Sequence, residues 1–144
     1  MSYRDGVTED RSKVIVAVHG QIAAVDVATG KEQWRNELRG LGHGVVEMLI
    51  ADARIYLVVE TAVDVVCLEY ATGKELWRTA TASNGRACLL RDGARLFVGR
   101  RGYLDCFDLE GNNLWSNGLS GLGSGPTTVG VPGSVSRADS EDAR

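Results

Sequence analysis

The chain has 144 residues, 44% hydrophobic and 24% charged, with 16 Lys and Arg against 19 Asp and Glu for a net charge of -3. That length holds one domain rather than two, and the near-neutral balance leaves neither the basic footprint of a nucleic-acid binder nor a polybasic stretch for anionic lipid. No apolar run reaches the roughly 18 residues of a membrane span, and the polar opening Met1-Ser2-Tyr3-Arg4-Asp5-Gly6 is unlike a secretion signal, so a cytoplasmic protein is expected, with no nucleic-acid and no membrane partner.

The first nine residues read as a weakly structured segment, in which Gly6-Val7-Thr8-Glu9 is a candidate degenerate strand. From there the chain alternates short apolar segments with tight turns. Val14 to Val18, Arg54 to Val59 and Arg95 to Gly99 are rich in β-branched or aromatic residues and too short for independent helices. Each is followed by a second such segment, near 22–26, 64–69 and 103–108, and by a third, near 33–38, 76–81 and 114–118. Between the second and third segments the sequence repeats. Ala24-Val25-Asp26-Val27-Ala28-Thr29-Gly30-Lys31-Glu32-Gln33-Trp34 aligns with Cys67-Leu68-Glu69-Tyr70-Ala71-Thr72-Gly73-Lys74-Glu75-Leu76-Trp77. A third copy, Cys106-Phe107-Asp108-Leu109-Glu110-Gly111-Asn112-Asn113-Leu114-Trp115, lacks one residue before its Gly. The three Trp lie 43 and then 38 residues apart, a period that suits a propeller blade of four short strands. The Gly four residues ahead of each Trp stands where a hairpin turn needs positive φ, and the Thr29 or Thr72 hydroxyl can bond the turn backbone.

The pattern Ala-x-Asp-x-x-Thr-Gly-x-x-x-Trp, complete at residues 24–34, resembles the tryptophan-docking motif of the PQQ-like, quinoprotein-type β-propeller repeat. The resemblance covers residues 10–131. It implies an all-β propeller of three four-stranded blades in which each Trp packs between neighbouring blades. Its docking residues are Ala24, Asp26, Thr29, Gly30 and Trp34; Cys67, Glu69, Thr72, Gly73 and Trp77; and Cys106, Asp108, Gly111 and Trp115. Blade two departs from the pattern at Cys67 and Glu69 and blade three more so, which implies looser docking there.

Labelling blade strands A to D outward from the ring axis, strands A are expected at Val45 to Ile50, Ala87 to Leu90 and Thr127 to Val131, after Gly-containing links. The order is then BCD, ABCD, ABCD, A: the first blade lacks its own strand A and the chain offers a spare one. Residues 132–144 are polar and read as a disordered tail. Three blades in an open arc would expose two apolar faces and a sheet edge. Two copies exchanging the spare strand would close a six-bladed ring, so a homodimer is expected.

Strand direction collects His19, His43, Asp64, Asn84, Arg100 and Arg101 on one loop face, the candidate interaction face. Each has a plainer reading: the histidines lack a nearby acidic cluster for metal or base chemistry, Arg100-Arg101 reads as a solvated hairpin tip, and Gly40-Leu41-Gly42-His43-Gly44 lacks the helix and Lys-Ser/Thr of a phosphate loop. Cys67 and Cys106 occupy the small apolar slot of Ala24. The dehydrogenases of the resembled family are secreted and carry a calcium site with an acidic base on the axis; no matching carboxylate and Asn cluster can be mapped. The expectation is a non-catalytic interaction scaffold with no catalytic residue, no metal and no cofactor, binding an unidentified protein. The alternatives are a small-ligand or glycan sensor using the axial pocket and, further off, a PQQ-dependent redox enzyme.

Overall fold

A computed structural model of the chain describes residues 9–137, and among them every regular element is a β-strand. The first sheet holds β1 (Lys13–Val18), β2 (Gln21–Asp26) and β3 (Glu32–Asn36). The second holds β4 (Val46–Ala51), β5 (Arg54–Val59), β6 (Asp64–Glu69) and β7 (Glu75–Ala80). The third holds β8 (Ala87–Asp92), β9 (Arg95–Arg100), β10 (Tyr103–Asp108) and β11 (Asn113–Asn117). All neighbours within these sheets are antiparallel and sequential, the order of up-and-down propeller blades.

Local chemistry sets the turns. His19-Gly20, Asp52-Ala53 and Arg101-Gly102 are two-residue hairpin loops, all three with positive φ at both positions, the backbone that matches strand twist. Between the third and fourth strand of each blade an aspartate or its substitute organises the turn. Asp26 Oδ1 accepts from Ala28 N at 2.8 Å and Thr29 N at 2.9 Å, and Thr29 Oγ1 accepts from Lys31 N. In the shortened third copy Asn112 replaces the missing Thr, donating from its backbone N and from Nδ2 to the Asp108 carboxylate.

The core lies between the blades. Strand alternation aims Ile55, Leu57 and Val59 at the first sheet, where they meet Ile22, Leu38 and Leu41. Tyr56, Val58 and Cys67 point the opposite way, onto Ala87, Leu89, Leu96 and Phe107 of the third sheet. Polar ties stitch the same junctions: Tyr70 Oη both accepts from Lys13 N and donates to Lys13 O, at 2.8 Å each. Arg54 donates to Leu109 O and pairs with Glu110. Arg91 pairs with Asp52.

The end of the chain departs from the sequence reading. Residues 134–137, expected in the disordered tail, form β13 (Ser134–Arg137), which pairs with β12 (Thr128–Val131) across the Pro132-Gly133 turn. Gly133, at φ 88, supplies the left-handed conformation that turn needs. β12 stands where a fourth blade's innermost strand would stand, Val129 packing on Cys88 and Leu90. β13 lies along β8, with Ser136 beside Glu47 and Met48 of β4, and so runs on the axial side of β12. Of the candidate strand Gly6 to Glu9, residues 6–8 lie outside the described residues and Glu9 is in no strand; the remainder of the tail, 138–144, also lies outside them.

Candidate interaction surface

The three Trp occupy equivalent places opposite a small residue of the neighbouring strand: Ala24 faces Trp34, Cys67 faces Trp77 and Cys106 faces Trp115. Their surroundings differ. Trp34 Nε1 donates to Tyr70 O and Trp77 Nε1 to Leu109 O, both at 3.0 Å, so each indole reaches the turn of the following blade. The ring lies flat on that turn's glycine: a Cβ on Gly73 would fall 2.3 Å from Trp34 Cε3, and one on Gly111 would fall 2.5 Å from Trp77 Cδ2. Glycine is therefore required twice over, by positive φ and by the indole. The shortened third turn receives Trp77 in the same way as the complete second turn receives Trp34, against the expectation of looser contact. At the array's ends the set is broken: Gly30 has nothing within 4 Å of its Cβ position, and Trp115 is 43% exposed.

On the loop face each hairpin tip is packed against the following link. A Cβ on Gly20 would lie 2.1 Å from Gly42 O, and one on Gly102 would lie 2.0 Å from Gly123 O. This brings His19 and His43 together, His43 Nδ1 lying 3.3 Å from His19 O, with both side chains exposed. Asn84 is exposed on the next link, Arg101 is exposed with its side chain across Gly85, and Asp64 stands half-buried at the start of β6. The sequence thus places these five on one face, of which the two histidines form a contact pair.

Arg100 is a correction. Read as a solvated cation at a hairpin tip, it is 1% exposed and cannot contribute to an interaction face. Its guanidinium donates to Gly85 O from Nε and Nη2, to Val59 O, and from Nη1 to Val63 O and Thr81 Oγ1. Burial pulls its pKa down to about 10, so it stays charged at neutral pH and pins blade three to the loops of blade two. The signal was present in the sequence: Leu96, Val98 and Arg100 alternate on one face, and the turn starts only at Arg101.

The axis carries a charged pair that the sequence reading did not single out. Glu47 of β4 accepts from Arg86 Nε and Ala87 N, both at 2.8 Å, beside a cavity of about 240 Å³ bounded by Met48, Leu89 and Ser136. A quinone with its calcium requires several oxygen ligands converging at one point. The described residues bring no three His, Cys, Asp or Glu side chains together, and Glu47 spends both carboxylate oxygens on Arg86 and Ala87, so these residues do not fit that group. Burial raises the thiols of Cys67, to about 12, and of Cys88 and Cys106, which leaves them protonated and unreactive at neutral pH.

Comparison with known proteins agrees with this geometry. The crystal structure of BamB from Moraxella catarrhalis superposes with a TM-score of 0.60 at 21% identity, over 74% of this chain and 34% of that one. Quinohemoprotein alcohol dehydrogenase from Comamonas testosteroni gives 0.57 at 20% identity over 74% and 19%, and a europium-containing methanol dehydrogenase gives 0.51 at 18% over 72% and 22%. The chain therefore spans about a third or less of these structures, and at such identities the likeness is one of fold. No curated protein matches it. The family model described as outer membrane protein assembly factor BamB matches residues 18–140, and the chain belongs to this PQQ-like β-propeller family.

Proposed function

We propose that the chain is a non-catalytic β-propeller module that mediates protein–protein interaction. The observation that carries this reading is the loop face, where two hairpin tips are locked onto their links by backbone contact and His43, Asn84 and Arg101 are exposed, Arg101 with its side chain across Gly85. A preorganised polar surface of this kind binds a protein without an ordering cost. The BamB-like family is mostly non-catalytic, and the buried, protonated thiols and the self-satisfied Glu47–Arg86 pair offer no nucleophile or base. The docking role of the Trp–Gly contacts belongs to the same reading, because they make the blade array rigid enough to present such a surface.

Affinity capture from lysate tests it: a partner retained by the wild type and lost from Arg101→Glu and His43→Ala supports the loop face. The redox reading is tested separately by reconstitution with PQQ and calcium. Stoichiometric quinone absorbance with alcohol-dependent dye reduction would replace the scaffold by an enzyme.

A further inference from the structure

We propose that a second copy of this chain covers both ends of the three-blade array, so that two copies close a six-bladed ring and β12 of each becomes the innermost strand of the other's first blade. This is independent of what the loop face binds. Four features of the two ends match each other as the internal junctions do.

The first is the indole and its seat. Trp34 sits on Gly73 and Trp77 on Gly111, both buried glycines, whereas Gly30 is exposed and bare. Among the described residues Trp115 Nε1 has no hydrogen-bond partner, while Trp34 and Trp77 each donate to a turn carbonyl whose counterpart in blade one is Val27 O. Asn36 Nδ2 and Thr79 Oγ1 likewise donate to Gly73 O and Gly111 O. Asn117 stands at the same place beyond Trp115, its Oδ1 already accepting from Leu119 N, which leaves its Nδ2 for Gly30 O of the second copy.

The second feature is the link leucine. Leu41, seven residues after Trp34, is 1% exposed against blade two, and Leu122, seven after Trp115, is 75% exposed. The third is the valine face of blade one. Val14, Val16 and Val18 correspond to Ile55, Leu57 and Val59, which are wholly buried by the preceding blade. Here Val16 and Val18, with Ala23 and Gln21, line an open groove of about 360 Å³.

The fourth is the pair of strand edges. In a two-residue hairpin the residues flanking the turn exchange both hydrogen bonds. Val131 and Val129 therefore spend theirs on β13, and Thr128 and Gly130 point theirs outward; in β1, Val18, Val16 and Val14 bond to β2, and Ala17, Ile15 and Lys13 point inward. Because β13 takes the axial edge of β12, the edge from which β5 and β9 pair with β4 and β8 carries no strand among the described residues. Transferring the β4–β5 register sets Thr128 opposite Ala17 and Gly130 opposite Ile15, donor to acceptor in both directions. The next position sets Pro132, which has no N–H, opposite Lys13, whose N–H and C=O are already taken by the Tyr70 hydroxyl. Each end meets the other copy's opposite end, so the assembly closes on a two-fold axis and does not grow.

Light scattering on the full chain is expected to give twice 15.5 kDa. Gly30→Asn is the selective block: Asn tolerates positive φ, and no atom lies within 4 Å of the new Cβ in one copy, but it would collide with the arriving indole. It should raise the dimer dissociation constant at least about tenfold with an unchanged circular dichroism spectrum. Should that variant fail to fold, a second arm decides. Ala17→Cys and Thr128→Cys chains, mixed and oxidised, are expected to form a disulfide-linked dimer that neither forms alone, since facing strand residues lie about 5.5 Å apart. A wild-type monomer at about 0.1 mM, a dimer indifferent to Gly30→Asn, or a mixture that does not cross-link would each overturn the proposal. A monomer that still captured its partner through the loop face would leave the scaffold reading standing.

Discussion

Blades one and two are built from the same repeat, yet they stand in different surroundings. In blade two Ile55, Leu57 and Val59 are 0% exposed, and in blade one the equivalent Val14, Val16 and Val18 are 49%, 44% and 59% exposed. The three strands they share pair in the same register, although β5 and β6 are joined by a longer loop than β1 and β2; what sets the burial apart is the neighbour. A propeller blade carries hydrophobic residues on both faces because each sheet is sandwiched, so its burial is a property of the array and not of the blade. The same holds for tryptophan, half-buried against the following blade at positions 34 and 77 and 43% exposed at 115.

The largest expected effects fall on the inner junctions. Trp77 contacts Tyr56 with ring centroids 6.2 Å apart, lies on Gly111 and donates to Leu109 O. Trp77→Ala and Trp34→Ala should each cost about 3–5 kcal/mol in urea denaturation. In a monomeric Gly30→Asn background Trp115→Ala should cost only about 1 kcal/mol. Equal losses at all three would erase the distinction between inner and terminal blades.

Arg100→Leu comes next, at about 3 kcal/mol, because it strands the buried Gly85 and Val59 carbonyls. Arg100→Lys should recover only part of this, since an ammonium cannot reproduce the fork that reaches Gly85 O twice. Full rescue by Lys would mean that charge alone, without the carbonyl geometry, holds that junction.

A smaller and sharper contrast compares one position in two blades. Leu57→Ala should cost about 2–5 kcal/mol, whereas Val16→Ala in the Gly30→Asn background should stay within about 0.5 kcal/mol. If two copies pair as proposed, Val16→Ala in the wild-type background should act on association instead, weakening the dimer while leaving the monomer's denaturation midpoint unchanged.

The repeat made the blades legible: three copies of a Gly–Trp turn and the links after them place twelve of the thirteen strands of the described residues in order, because hairpin chemistry and alternation act over a few residues. Their packing was legible only as far as the pattern repeats. Arg100 was misjudged because a charged pair next to a Gly suggests a solvated tip, while the alternation from Leu96 through Val98 carries it inward, where backbone carbonyls satisfy it. The Glu47–Arg86 pair joins residues 39 apart, and nothing local marks either. β13 was missed because Ser134 to Arg137 is polar; its strand is held by the Pro132-Gly133 turn and by lying along β8, which composition does not record.

The turns themselves should respond to acid, by the smallest effect of the set. Asp26 is held below the ordinary aspartate range by hydrogen bonds from the Thr29 and Ala28 backbones, and Asp108 by the Asn112 side chain and then its backbone. A carboxylate whose folded value is depressed contributes stability that is fully present above the unfolded value and is lost as pH falls through the folded one. Urea midpoints should therefore hold steady down to about pH 5 and decline toward pH 3. Asp26→Asn and Asp108→Asn should each lower the neutral midpoint slightly and flatten that decline, because the amide keeps an acceptor oxygen but no titrating charge. A wild-type slope in Asp26→Asn and Asp108→Asn would mean that these turns are fixed by glycine and hairpin geometry alone, with the carboxylates adding nothing to the folded state.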